Sequence, residues 1–252
     1  DIRPSRGLGD VYKRQLTTNG SLLENNAADL AESGLSRVTI SLDAIDQEVH
    51  SKITDSKVSV TDILDGISAA IRYELGPVKI NCVVQRGVNE HQIPKLVRKF
   101  RGTGVIVRFI EFMDVGSTNG WTQGQVVPTS EIIDFLSSEF DLIPLARKSA
   151  SDVASRWAHS DDSGEIGFIS SVSQPFCGDC VRARLSSDGK FFTCLFTTTG
   201  HDMSALIKSG GKTEVLTQSI EEVWSARKDR YSEERTSVAI SLPRVEMSYI
   251  GG

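Results

Sequence analysis

Cys177, Cys180 and Cys194 fall in one short stretch, C-x2-C-x13-C, with Arg182 and Arg184 just behind the second cysteine. Three thiolates can hold a zinc ion or an iron–sulfur cluster and leave one metal position open to another ligand. On spacing alone the two metals stand level. A structural zinc knuckle would take His201 or His159 as its fourth ligand, whereas three cysteines with no obvious fourth residue favour a cluster with an open iron. Arg182 and Arg184 alternate along a strand-like run, so both can face one side. The plain alternative for them is a solvated basic turn. Together these residues point to a metal centre that binds an anionic ligand.

The elements that must position such a site are legible over residues 16–113. Leu16-Thr-Thr runs into the turn Asn19-Gly20, and a helical stretch around 26–33 stops at Gly34. Residues 37–42 and 78–84 read as strands, with a helix over 60–74 between them that ends before Gly76-Pro77. A helix over 92–101 and a strand over 105–112 follow. Strands alternating with helices at this spacing predict βαβ units and a parallel sheet, open or closed into a barrel. A Gly/Ser/Thr-rich connection over 116–128 leads to a helix over 129–138, short strands over 142–146 and 165–170, and amphipathic stretches near 202–209 and 219–226. Residues 147–162 read as polar and mobile, and 129–252 as an irregular C-terminal extension packed on the barrel.

Strands buried on both faces should be near-continuous apolar runs. These are not. Thr17, Thr18 and Asn19 close the first, Ser41 and Asp43 the second, and Arg108, Glu111 and Met113 the fourth, while Lys79 and Asn81 share a face of the third. Polar residues at the C-terminal ends of barrel strands line an active-site mouth. A lysine inside an apolar strand needs an anionic partner, so Lys79 is the sharpest of these. Cys82 reads as a small core residue.

Residues 5–15 read as the in-frame translation of a sequencing-library adapter, with Asp10 to Gln15 matching a transposon mosaic end. Residues 1–15 are therefore expected to be a non-native leader. They hold four of the 28 basic and two of the 33 acidic residues, leaving 24 against 31, a net charge of −7. That balance opposes a general nucleic-acid or membrane-surface binder. No apolar run reaches the roughly 18 residues of a membrane span. The cysteines suit a reducing cytoplasm and a metal site better than a disulfide framework. Gly210-Gly211-Lys212-Thr213 imitates the end of a phosphate loop, but Leu206 stands where the first glycine belongs.

Taken together, Thr17-Thr-Asn-Gly20, Ser41-Leu-Asp43, Lys79-Ile-Asn81, Arg108-Phe-Ile-Glu-Phe-Met113, Gly164-Glu-Ile-Gly-Phe-Ile169, the cysteine segment and the ending Ser248-Tyr-Ile-Gly-Gly252 carry a resemblance. The chain resembles the GTP 3′,8-cyclase family of radical S-adenosylmethionine enzymes, which opens molybdenum cofactor biosynthesis. The resemblance covers residues 16–252 and implies an α/β fold. It would be an incomplete parallel (β/α) barrel over 16–128, lacking its first strand or strands, with an α+β extension over 129–252 that carries an iron–sulfur cluster. It implies a [4Fe-4S] cluster on Cys177, Cys180 and Cys194, its open iron facing the purine of GTP. A second cluster would stand near the N-terminus of the intact protein. Thr17, Lys79, Arg182, Ala183 and Arg184 would contact GTP, and Ser41 and Met113 would contact S-adenosylmethionine. Arg182, Arg184, Gly251 and Gly252 would serve catalysis. The implied reaction is cyclisation of GTP to (8S)-3′,8-cyclo-7,8-dihydroguanosine 5′-triphosphate. In it a 5′-deoxyadenosyl radical takes hydrogen from C3′ of the ribose, and C3′ bonds to C8. Cyclic pyranopterin monophosphate synthase would act downstream, and a homodimer is the candidate assembly.

Two departures stand out. Val181 and Ala183 flank Arg182 where the family has a polar and a bulkier apolar residue. The C-x3-C-x2-C loop of the radical-generating cluster is expected upstream of Leu16, so the 252-residue chain alone is expected not to turn over. Two other readings compete: a radical peptide-maturing enzyme, which Cys177-x11-Gly189-x4-Cys194 would also begin, and a zinc-stabilised nucleotide-binding protein.

Overall fold

The computed structural model describes residues 14–149, 152–210, 212–235 and 245–250. The chain forms two compact units. Unit 1 comprises Asp1–Phe112, Gly124–Lys148 and Asp152–Ser170, and unit 2 comprises Met113–Gln123, Ser149–Ser151 and Ser171–Gly252. Among the described residues no helix is long and apolar enough to cross a membrane.

Unit 1 begins with β1 (Gln15–Thr18), α1 (Leu23–Glu32), β2 (Arg37–Ser41), α2 (Gln47–Thr54), α3 (Val60–Arg72) and β3 (Lys79–Val84). It continues with α4 (Ile93–Phe100), β4 (Ile106–Glu111), α5 (Thr129–Ser137), β5 (Leu142–Leu145), β6 (Ser155–His159) and β7 (Glu165–Ile169). The strands form one seven-stranded sheet in the order β1-β2-β3-β4-β7-β6-β5. Pairing is parallel from β1 through β4 to β7, and antiparallel from β7 to β6 and β5. This mostly parallel α/β sheet is what an incomplete (β/α) barrel contains.

The side-chain alternation of each strand sorts the sheet into two faces. Val38, Ile40, Ile80, Cys82, Val84, Val107, Phe109, Ile166 and Phe168 are buried on one, packed with Leu23 and Ala27 of α1, Ile63 and Ile67 of α3, Leu96 and Val97 of α4, and Ile132 and Leu136 of α5. Burying an aliphatic or aromatic side chain of this size contributes roughly 1.5–3 kcal/mol, so this helix-covered face holds the unit together. Helix starts are fixed locally. The Asp46 carboxylate accepts the Glu48 and Val49 N–H groups at 3.0 and 3.1 Å, and the Ser59 hydroxyl accepts that of Thr61 at 3.1 Å.

Several elements differ from the sequence-based expectation. Unit 1 does not end near residue 128: α5 belongs to it and β5–β7 extend its sheet, because β7 adds in parallel to β4. Within the stretch expected to be polar and mobile, Ser155–His159 is β6, paired on both sides, with Trp157 edge-on to Phe168 at 6.3 Å. Its polar residues hide a period-two pattern. Helix α2 was not anticipated, although its capping aspartate is visible in the sequence. Gln15, assigned to the leader, opens β1, and the Arg14 carbonyl accepts the Ser36 and Arg37 N–H groups. Main-chain pairing accepts any residue that keeps its N–H. At the other edge Ser160 N–H bonds to Asp141 C=O, and that alternation turns the backbone of Pro144 outward. A proline there leaves no donor for an added strand.

Unit 2 contains a three-stranded antiparallel sheet, β8 (Arg184–Leu185), β9 (Lys190–Phe192) and β10 (His201–Asp202), in the order β10-β9-β8, with helices α6 (Ser204–Lys208) and α7 (Thr213–Ala226). Phe191, Phe192, Phe196, Met203 and Ile250 are its buried apolar residues.

Candidate functional site

The face of the unit 1 sheet opposite the helices carries the sheet's polar residues, mixed with Val83, Ile106 and Ile110. Register places Thr17, Thr39, Lys79 and Ile106 in one row across β1–β4, and Ser41, Asn81, Arg108, Gly167 and Arg156 in the next, across β2, β3, β4, β7 and β6. The implied nucleotide contacts Thr17 and Lys79 thus share a row, and Ser41 stands one step along. The polar residues, expected mostly toward strand C-termini, also stand at strand starts. Lys79 heads β3 and Arg37 heads β2, because an inward face alternates through a whole strand.

Four cations stand on this face, Arg37, Lys79, Arg108 and Arg156, the last paired with Glu165 at 2.6 Å. Burial, then Arg108 and Arg37, holds the Lys79 ammonium below its ordinary value, against the pull of Glu165 and Asp152. Burial and Arg37 likewise lower Arg108. Arg108 Nε donates to Asn81 Oδ1 at 2.9 Å, and Arg37 Nε is buried without a hydrogen-bond partner among the described residues. Gly167 makes room for this layer, since a Cβ there would come to 3.0 Å of Arg108 Cγ. Cations buried in this way are costly to keep charged without an anionic partner. The carboxylates at the strand ends do other work. Asp43 Oδ1 accepts the Val83 N–H at 2.7 Å, and Glu111 Oε1 accepts the Thr129 N–H at the start of α5 at 2.8 Å.

In unit 2, Cys177–Asp179 is a 3-10 turn, and the Cys180 N–H bonds to the Cys177 carbonyl at 3.2 Å. The β8–β9 hairpin then leads back to Cys194, whose Sγ accepts the Phe196 N–H at 3.5 Å. All three thiols are free and half-buried. Residues 227–235 brace this loop. Arg227, stacked 3.6 Å above the Trp224 ring, donates to the Cys180 carbonyl at 2.5 Å. Glu233, paired with Arg230, accepts the Gly178 N–H at 3.3 Å. Asp229 accepts the Thr193 hydroxyl at 2.6 Å.

The electrostatics favour a thiolate at one position. Burial pushes the Cys180 thiol up, but the backbone and guanidinium of Arg182, with Arg227 beyond, outweigh it and draw the thiol below its usual value. Burial raises Cys194, only partly offset by the Phe196 N–H. Burial and Arg182 lower Arg184, while Cys194 and Cys180 pull it up, so the cysteines and this guanidinium share one neighbourhood. Arg182 lies over the Phe176 ring at 5.1 Å, and Ala183 is exposed. Among the described residues no group of three or more Cys, His, Asp or Glu is gathered closely enough to hold a metal ion. The donor set nonetheless fits an anionic cluster: three free thiols, one acidified, flanked by Arg182, Arg184 and Arg227. His159, a proposed zinc ligand, is buried in β6 with its ring edge-on to Phe140 at 5.6 Å, and His201 stands in β10. Met113 is half-buried, its carbonyl accepting Asn119 Nδ2 at 3.0 Å. Gly251 and Gly252 lie outside the described residues.

Residues 8–100 match the radical SAM superfamily, and residues 105–233 match Molybdenum Cofactor Synthesis C. A GTP 3′,8-cyclase of Xanthomonas axonopodis pv. citri is 46% identical over 94% of this chain and 70% of that protein. The chain belongs to the GTP 3′,8-cyclase family. A member from Acidothermus cellulolyticus is 41% identical over 97% of this chain and 75% of its own length, and one from Staphylococcus carnosus 43% over 94% and 71%. For this cyclase-family chain, sequence reasoning missed Arg37 and the brace over 227–235. Arg37 had a signal, the alternation Arg37-Val-Thr-Ile-Ser41. Arg227 and Glu233 had none, since each acts on backbone atoms far away in sequence.

Proposed function

We propose that this chain binds GTP and S-adenosylmethionine for the radical cyclisation of GTP to (8S)-3′,8-cyclo-7,8-dihydroguanosine 5′-triphosphate, the first step of molybdenum cofactor biosynthesis. Cys177, Cys180 and Cys194 would hold a [4Fe-4S] cluster, which with S-adenosylmethionine and the family's other cluster supplies the one-electron chemistry. The chain's own residues bind and orient. Arg182 and Arg184 offer planar forks that match phosphate oxygens, and Lys79 adds a compact charge. Thr17 would donate a hydroxyl to the nucleotide and Ala183 its backbone. Ser41 and Met113 would contact S-adenosylmethionine, while Gly251 and Gly252 would approach the substrate closely, as residues without a Cβ can. The product would pass to cyclic pyranopterin monophosphate synthase, and a homodimer in a cytoplasmic setting completes the proposal.

The observation that carries this reading is the loop of three free thiols, Cys177, Cys180 and Cys194, with Arg227 donating to the Cys180 carbonyl and the half-buried Arg184 beside them. The test is anaerobic iron–sulfur reconstitution of the 252-residue chain, followed by calorimetry with GTP. A brown protein with iron and sulfide that binds GTP is expected. A hydrogen bond to a charged group contributes roughly 1.5–3 kcal/mol, so Arg184→Ala should weaken GTP roughly 10- to 100-fold. A colourless zinc protein, or unchanged GTP affinity in Arg184→Ala, defeats the proposal.

A further inference from the structure

The tail that ends in the glycine pair is tied down at two points within unit 2. Its first anchor is Glu246, whose carboxylate accepts the Ser117 N–H at 2.8 Å and the Thr118 hydroxyl at 3.4 Å. Neighbouring Gly116 has φ +68°, and a Cβ on it would overlap the Glu246 carboxylate. That glycine therefore leaves the place the carboxylate takes. The second anchor follows one 3-10 turn later, Met247–Tyr249. The Tyr249 hydroxyl donates to Asp188 Oδ2 at 2.6 Å, its ring meets Phe192 edge-on at 6.2 Å, and Lys190 Nζ lies 5.7 Å from the ring centroid. Ile250 is buried.

Both anchors stand on segments that carry candidate site residues. The turn at 116–118 follows Met113, whose carbonyl Asn119 holds. Asp188, Lys190 and Phe192 lie on the hairpin between Arg184 and Cys194. Tyr249 is not a core plug, being more than a third exposed, yet its hydroxyl is committed to a carboxylate. A tail that served only to cover Phe192 would need neither that hydrogen bond nor Glu246.

We infer that Glu246, Tyr249 and Ile250 form a latch that fixes where the chain leaves Ile250. They are positioning residues for the last two glycines. This inference rests on the GTP-cyclase reading above for its purpose but not for its geometry.

The experiment is carboxypeptidase trimming of the reconstituted 252-residue chain, with release of the last residues followed by mass spectrometry, with and without GTP. The wild-type chain should trim slowly. Glu246→Ala and Tyr249→Phe should each trim about tenfold faster, the effect of one lost charge-assisted hydrogen bond. Glu246→Gln keeps a neutral oxygen acceptor for the Ser117 N–H and should restore part of the slow trimming. Folding of every variant is checked by its melting temperature, and the Tyr249→Phe change is mild enough to keep the test open if Glu246→Ala unfolds. Trimming of both Glu246→Ala and Tyr249→Phe at the wild-type rate overturns the latch. If the nucleotide reading fails instead, GTP leaves all rates unchanged while the variant-to-wild-type ratios persist.

Discussion

Asp43→Asn tests how the end of β2 is built. Asp43 is 9% exposed, its carboxylate accepts the Val83 N–H at 2.7 Å, and its carbonyl accepts Asn89 Nδ2 at 2.8 Å. Burial raises the carboxyl from 3.8 to about 6, opposed only partly by the Val83 N–H. The folded chain therefore holds this proton more tightly than the unfolded chain. Stability from the group is complete below the unfolded value and is lost as pH rises through about 6. At 1.36 kcal/mol per unit, a shift of about two units leaves a penalty of roughly 3 kcal/mol above that pH. Asparagine keeps an oxygen for Val83 and removes the charge, but adds an amide N–H2 that costs about 1–2 kcal/mol if unpaired. The net expectation is a gain of roughly 1–2 kcal/mol at pH 7.5 and a flatter profile between pH 4 and 6. Urea unfolding followed by circular dichroism at one-unit steps from pH 4 to 8 reads both. Parallel profiles for the wild type and the Asp43→Asn variant across pH 4–6 would refute the reasoning, because the charge would then have a compensating partner.

Gly167→Ala should crowd Arg108, lower stability by about 1–3 kcal/mol, and weaken GTP in calorimetry by disturbing the Arg108–Asn81 bond. A fully stable, fully binding variant would show that the 3.0 Å approach constrains nothing. Arg227→Ala should lose iron to a chelator faster than wild type, with Arg227→Lys restoring only part of the retention, since a lysine lacks the planar fork. Equal iron loss in all three proteins would remove Arg227 from the brace. Raising salt from low to physiological strength should weaken GTP only shallowly, because half-buried charges are screened far less than exposed ones. A steep loss would place binding on surface cations instead.

Much of unit 1 was legible because its signals are local. The apolar strands, the stop at Gly34 and the break at Gly76-Pro77 each act within a few residues. What was not legible depends on pairing. Ser155–His159 reads as polar until Trp157 meets Phe168 across the β6–β7 pair. Arg37 reads as a strand start until register sets it on the face of Ser41 and Lys79. The cysteine spacing was plain, but it left zinc and iron level. The charge around the sulfurs was hidden as well, because it comes partly from Arg227, 47 residues beyond Cys180. No spacing rule reaches that far.

The charge arrangement also resolves an apparent conflict. A chain with a formal net charge of −5 should repel a nucleotide triphosphate at long range. Beyond about 10 Å in 0.1 M salt that repulsion is screened, and only local groups count. Unit 1 gathers Arg37, Lys79 and Arg108 on one face, and unit 2 gathers Arg182, Arg184 and Arg227 around its cysteines. Lys79 and Arg108 in unit 1 and the half-buried Arg184 in unit 2 are held below their ordinary proton affinity, chiefly by burial and by neighbouring cations. An anion bound beside either group would offset the repulsion among its cations. Binding therefore draws on charges that destabilise the empty protein, and removing one of them should weaken GTP while leaving stability level or raised.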